Sequence, residues 1–264
     1  MSNPSLYDYP LIYDRVRTPD QDTFDAIFNL ICDYLGRKPY SVMDPACGPA
    51  TWMAPFAQKG IMVAGNDIDP NMIKAAREKC GDRVLELIEG DMCDLRFAKG
   101  PFDVTFELAG TCGMLPGEEK FLSFLKSSIK HTADNGLMLL TVFFQEISEY
   151  DQFPWLVGEW GPFAVPPQGN AWLRYEVLST LPESSIDRVR RVVHTSGVEE
   201  CQVPLIDEYD MFSWKEERFW DAMAGFKELE FLTAFRYDEP VGIELCGKGR
   251  LSGETTVVFR KKAV

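Results

Sequence analysis

Three acids recur at intervals in the first hundred positions, each closing an apolar run: Asp44 after "SVM", Asp67 after "IMVAGN" and Asp91 after "LELIEG". One of them alone would pass as a helix cap. Three in succession place carboxylates along one edge of a sheet, and an open parallel sheet binds its ligands beyond that edge. Asp67 follows Asp44 by 23 positions, close to the spacing at which an acid accepts hydrogen bonds from ribose hydroxyls. The turn between them, "DPACGPA" (44–50), has one glycine, Gly48, followed by Pro49, which has no amide hydrogen. A dinucleotide needs G-x-G-x-x-G so that backbone amides reach a pyrophosphate, and this turn offers neither the pattern nor the donors. The chemistry implied is binding of a nucleoside cofactor that lacks phosphates, and Asp44 suits one that carries positive charge. A nicotinamide-dependent oxidoreductase would share the sheet and Asp67, and stays open as an alternative.

Such acids need strands to carry them. "YSVMD", "IMVAGND", "RVLELIEGD", "FDVTFEL" and "GLMLLTVFF" read as five strands separated by helix patterns, which predicts a parallel sheet covered by helices. The first crossover helix carries Trp52, Met53, Phe56 and Ala57 on its apolar side, with Thr51 as its cap. The second opens on Asp69 and Pro70 and stops at Gly81. Phe121, Leu122, Leu125 and Ile129 mark a third, with Glu118 and Glu119 at its positive end. Its His131, near the far end, suits the helix dipole.

After Phe144 the pattern changes. Residues 145–170 are rich in aromatics, Pro and Gly, and read as an irregular lid or pocket wall. Antiparallel strands follow over 171–205, a capping box (Ser213, Glu216) opens another helix, and "ELEFLTAFRY" and "ETTVVFRKK" are the last two strands. The organisation expected is a core with an N-terminal helix (1–144), an inserted substrate-side sheet (145–210) and the end of the core (211–264).

Composition narrows the partners. The chain of 264 residues is 45% hydrophobic with a formal net charge of −14, which disfavours phosphate backbones and anionic membranes. No nucleic-acid or membrane partner is expected, no apolar run approaches a membrane span, and the start lacks a signal-peptide pattern, so a cytoplasmic location is expected. Seven cysteines without a paired C-x-x-C spacing give neither a metal site nor a disulfide framework. A small molecule, held by a monomer or homodimer, is the expected substrate. Glu107, Glu146 and His194 are the candidates for a general base, should the acceptor need one.

The motifs, taken in order from about Tyr13 to Arg260, resemble class I S-adenosylmethionine-dependent methyltransferases. "VMDPACGPATWM" is similar to that family's first motif, with Asp44 as its acid, Gly48 as its middle glycine, and Ala46 and Ala50 in place of the outer two; alanine fits there if its φ stays negative. The resemblance implies a Rossmann-like sheet of seven strands with helices on both faces and an antiparallel subdomain inserted after strand five. It implies binding of S-adenosylmethionine and its product S-adenosylhomocysteine by Asp44, Ala46, Cys47 and Gly48 at the first turn. Asp67 would take the ribose, Ile68 and Met92 would lie against the adenine, Asp91 would accept from its amino group, and Leu108 would belong to the fourth motif.

Amino-sugar N,N-dimethyltransferases are the members most resembled, through "DPACG" and "GDM", although Ala109, Gly110 and Thr111 stand where those enzymes have serines. The acceptor would be a small molecule, an amine nitrogen in particular. Tyr9 and Tyr13, in a "Y-D" segment, would fold over the methyl end, Tyr13 close to the reaction. Trp155, Trp160, Trp172, Arg174 and Glu146 would line the acceptor side, with Glu159 a further carboxylate there. A cofactor-binding protein without catalysis would have the same motifs.

Overall fold

The structure is a computed structural model describing residues 4–145, 152–181, 183–201, 203–237 and 243–263. Two helices open the chain where one was expected, α1 (Pro10–Arg17) and α2 (Gln21–Leu35). Asp20 caps α2 by accepting from the Thr23 amide at 2.8 Å, and Gly36 ends it in a left-handed conformation. The alternating region follows in the expected order: β1 (Ser41–Asp44), α3 (Met53–Gln58), β2 (Met62–Asp67), α4 (Pro70–Cys80), β3 (Val84–Glu89), β4 (Phe102–Glu107), α5 (Glu118–His131) and β5 (Thr132–Phe144). The antiparallel strands β6 (Trp155–Val165), β7 (Gly169–Leu181), β8 (Ile186–Ser196) and β9 (Leu205–Phe212) form a sheet of their own. The chain then returns through α6 (Glu216–Met223), β10 (Leu229–Tyr237), β11 (Ile243–Cys246) and β12 (Gly253–Lys261).

The large sheet runs β11-β10-β12-β5-β4-β1-β2-β3, with β1 to β5 parallel and β12 antiparallel to β5. Its strand order reverses between β1 and β4, so the ends of these two strands, Asp44 and Glu107, flank the crevice where such sheets bind ligands. Alternation along β5 sends Leu137 and Leu139 into the layer under α2 and α3, and Met138 and Leu140 into the layer under α5 and α6. Phe24 and Phe106 both pack on Phe56 in the first layer; Phe121 and Phe219 pack on Trp214 in the second. α1 lies against the inserted sheet, its Ile12, Tyr13 and Val16 buried with Leu173, Val193 and Leu205.

Four local expectations are corrected. The sheet has eight strands, because "IELC" adds β11 along the edge of β10; four residues were too short a run to register as a strand. Residues 155–165 are a strand, not an irregular wall: β6 is an edge strand, where Gly158, Gly161 and Pro162 are accommodated by two shifts of register against β7. Ser213 does not cap α6, since its hydroxyl donates to the Ser185 carbonyl, while Glu216 reaches the amides of Gly249 and Leu251. Thr51 does not cap α3; its hydroxyl donates to Asp14 at 3.0 Å and ties α1 to the first turn.

The first turn packs directly on β2. A Cβ built on Gly65 would lie 2.8 Å from Cys47 Sγ and 2.8 Å from Met53 Cε. Gly65→Val is therefore expected to destabilise the fold by ~1–3 kcal/mol through overpacking, read as a lower urea midpoint at unchanged m.

Candidate functional site

The site is built on the turn after β1. Ala46 N donates to Asp44 at 3.0 Å, Cys47 N to the Asn66 carbonyl at 2.8 Å, Gly48 N to Asp67 at 2.7 Å and Ala50 N to the Cys47 carbonyl at 3.0 Å. With Pro49 lacking a donor, these four amides are already engaged inside the protein. A pyrophosphate cradle needs free ones, so the geometry counts against the dinucleotide alternative. Gly48 has φ of +52°, a left-handed conformation that favours glycine, while a Cβ there would make only ordinary contact with Tyr13 Cε1 at 3.5 Å. Ala50 also has positive φ, at 64°, against the expectation of a negative one. The left-handed residue lets Ala50 close back on Cys47 and start α3, and its burial offsets a cost of about 1 kcal/mol.

Carboxylates gather around this turn. Asp44 is buried, and burial first, then the nearby Glu107 and Asp67 charges, push its carboxyl well above the usual range, against one opposing bond from Ala46. Asp67 holds the amides of Gly48 and Asp69 (2.7 and 3.0 Å), yet burial still raises it. Glu107 is buried at the end of β4 and accepts from the amides of Ala109, Thr111 and Cys112; burial raises it as well. Its oxygens organise the loop after β4, so it is not free to take a proton from an acceptor. Asp91 lies exposed at the end of β3 and accepts from Cys93 N at 2.8 Å. Beside Asp67, the Ile68 side chain is 76% exposed, an apolar surface open to a flat ring.

Other expected residues lie elsewhere. Met92 and Leu108 are buried in the two core layers, and only the Leu108 carbonyl faces a polar group, accepting from Tyr237 at 3.2 Å. Ala46 is half-buried against the second layer. Cys47 is buried, and burial, with Asp44 and Asp67 adding to it, drives its thiol well above its usual range; this is a turn filler and no nucleophile. His131 is buried and bonded to the Leu95 carbonyl at 3.0 Å. Glu146 lies outside the described residues.

In the inserted sheet the strand period of two divides the candidates. Arg174, Glu176, Arg190, His194 and Glu208 share one face, and Arg174 bridges Glu159 and Glu176 there. Trp172, opposite His194 in register and 38% exposed, is on that face as well. These outward residues do not converge on Gly48: alternation turns His194 and Arg174 away from α1. Trp160 is on the other face, its ring 6.2 Å from that of Tyr175, while Trp155 is 43% exposed near the start of edge strand β6. Tyr9 packs in the cluster under the inserted sheet.

The inward face carries residues that sequence reasoning missed. Tyr7, preceding α1, has its ring 5.7 Å from that of Tyr13 and tilted 32° to it, and its hydroxyl donates to Met114 Sδ at 3.7 Å, which brings it over the loop after β4. Arg17, one turn after Tyr13, donates to the Ala109 carbonyl at 2.7 Å. Tyr175, Arg191 and Tyr209 stand on neighbouring strands β7, β8 and β9, and Glu254 on β12 lies where burial raises its carboxyl while Arg17 opposes the shift. For Tyr175 and Arg191 the sequence signal was the alternation in "LRYEV" and "RVRRVV", which does not say which face looks inward.

Residues 42–136 match the protein family described as "Methyltransferase domain". The chain contains a methyltransferase domain. Around it, the whole chain has the fold of an S-adenosylmethionine-dependent methyltransferase from Clostridium acetobutylicum (TM-score 0.72, 13% identity, covering 98% of this chain and 99% of that one). An amino pentose methyltransferase of Micromonospora echinaspora, involved in calicheamicin biosynthesis and solved with S-adenosylmethionine bound, is similar at TM-score 0.68 and 15% identity, covering 99% and 100%. In sequence, a Streptomyces cypemycin N-terminal methyltransferase is 27% identical over 145 residues, 53% of this chain and 57% of that protein. The family match ends at residue 136, before the inserted sheet. No helix among the described residues is long and apolar enough to cross a membrane.

Proposed function

We propose that this chain is an enzyme moving the methyl group of S-adenosylmethionine to a small-molecule acceptor, an amine nitrogen. The observation that carries the reading is the gathering of Asp44 and Glu107, both buried, and the half-buried Asp67 around a turn whose amides are all engaged: it suits a cofactor that is cationic and free of phosphate. Bound, the cofactor supplies an electrophilic sulfonium methyl for in-line displacement. Asp67 would hold the ribose, Ile68 would cover the adenine with Asp91 beyond it, and Gly48 would leave room for the methionine end next to Asp44. Tyr13 roofs the turn, so that with Tyr7 and the inward face of the inserted sheet it would exclude water from the methyl. Preorganised contact of nucleophile and methyl can supply ~7 kcal/mol or more of the barrier. The fold similarity to an amino pentose methyltransferase supports an amine acceptor. The overall negative charge weighs against a nucleic acid.

Calorimetry with S-adenosylmethionine, followed by a screen of amines for release of S-adenosylhomocysteine, tests the reading; no binding of either ligand would overturn it. The raised carboxyls add a sign. A cationic ligand favours their ionised forms, so binding releases protons and tightens as pH rises. S-adenosylhomocysteine lacks the sulfonium charge and should show a shallower slope. Equal slopes for the two ligands between pH 5 and 8 would remove the carboxyls from the site. The unliganded protein should behave oppositely: the unfolded chain loses these protons first, so their contribution to stability is full below the ordinary carboxylate range and declines as pH rises towards the folded values.

A further inference from the structure

The acids Asp44, Asp67 and Asp91 stand at the ends of separate strands, and one buried side chain ties those strands together where the acids emerge. Asn66, immediately before Asp67, is 1% exposed. Its Nδ2 donates at 2.9 Å to the Pro45 carbonyl, which follows Asp44, and at 2.9 Å to the Gly90 carbonyl, which precedes Asp91. Its main-chain carbonyl accepts from Cys47 N at 2.8 Å. Both side-chain partners are carbonyl oxygens, so the amide must present its nitrogen to them, and Oδ1 is left buried without a hydrogen-bond partner among the described residues. Alternation along β2 turns this side chain towards the layer of Met43 and Ala64, where an apolar residue would leave no acceptor unpaired. An amide kept there in spite of its orphaned oxygen marks a demand other than stability.

We propose that Asn66 is a positioning residue for the cofactor: its amide fixes the separation between the first turn, which receives the methionine end, and the loop after β3, which receives the adenine. The proposal rests on the methyltransferase reading. A ligand that spans both places gains from having them held at one distance, as linked binding modules gain from a linker of the right length, whereas a ligand occupying one place does not. Other bonds attach each place to β2 separately, Gly48 N to the Asp67 carboxylate at 2.7 Å and Gly90 N to the Asp67 carbonyl at 3.0 Å. The Asn66 amide holds both with one group. Gly90 completes the device, since a Cβ on it would stand 3.1 Å from Asn66 Oδ1 and displace the amide. Its φ lies outside the left-handed region, so what glycine supplies there is the close approach and not the backbone conformation.

Two ligands separate the places. S-adenosylhomocysteine spans the site, while methylthioadenosine has the same adenine, ribose and sulfur and lacks the amino-acid end. In calorimetry, with the weaker ligand read by displacement, Asn66→Ala should weaken S-adenosylhomocysteine by about tenfold and methylthioadenosine by no more than about twofold. Gly90→Ala, which removes no polar group, should give the same preference at smaller size, and it carries the test should Asn66→Ala fail to fold. In the double variant Gly90→Ala should add nothing, because the amide through which it acts is gone. Equal losses for the two ligands, or no loss for either, overturn the proposal in whichever single variants fold: a side chain with a merely structural role would move the urea midpoint and leave the ratio of the affinities alone. Additive losses in the double variant overturn it too. If the unaltered protein binds neither ligand, the methyltransferase reading fails and takes this one with it. If it binds S-adenosylhomocysteine and not methylthioadenosine, the adenine place does not bind by itself and this proposal alone falls.

Discussion

Asp67→Ala is expected to weaken S-adenosylmethionine and S-adenosylhomocysteine alike by about 100-fold, ~3 kcal/mol, with near-native circular dichroism. The carboxylate has two duties in the fold, accepting from the amides of Gly48 (2.7 Å) and Asp69 (3.0 Å), and it is the acid at the end of β2 where ribose hydroxyls would lie. Removing it takes away the ribose acceptor and frees the Gly48 amide at once. Both ligands share the ribose, so the loss should not depend on the sulfonium. An affinity within twofold of the unaltered protein would mean that the ribose lies elsewhere.

The second large effect concerns stability. Asp207→Ala would leave Arg191, 3% exposed, as a buried cation without its carboxylate, and breaking such a pair from one side costs ~3–5 kcal/mol. The same carboxylate also accepts from Ser5 and from the Leu6 amide, so the N-terminal segment would lose its hold on the inserted sheet. By contrast, the Arg96–Asp94 pair is 80% and 64% exposed, and its removal should change little. Urea unfolding of the two alanine variants, Asp207→Ala and Asp94→Ala, makes the comparison. A loss below 1 kcal/mol at Asp207 would show that water reaches Arg191 in solution.

The sequence made the cofactor half legible because its signals are local. Asp44, Asp67 and Asp91 each end an apolar run, and Asp69 with Pro70 states where α4 begins, so short windows sufficed to place them. The acceptor half resisted for a physical reason: Tyr7, Arg17, Tyr175, Arg191, Tyr209 and Glu254 come from six elements or their edges and meet only through tertiary packing. Alternation in β7 and β8 was visible, but a period of two is symmetric between faces, and the chemically suggestive His194 and Arg174 fell on the outward one. Of the tryptophans, Trp160 packs beside the inward phenol of Tyr175. Gly161 and Pro162 looked like breaks, which an edge strand tolerates and a central one would not.

The helix α1 and the segment before it are fastened at four separate places. Its Asp14 binds Lys79 of α4 and Thr51 of the first turn, its Arg17 binds the loop after β4, and the segment before it binds Asp207 of the inserted sheet. Tyr13, midway along, covers Gly48. A ligand seated under that ring can exchange only when some of these ties let go, so its residence time is governed by the unlatching of α1 as well as by its own affinity. In the proposed reading the same helix touches both the cofactor turn and the acceptor sheet, so loosening it for product departure would also dismantle the acceptor side and make turnover and ligand exchange one gated event.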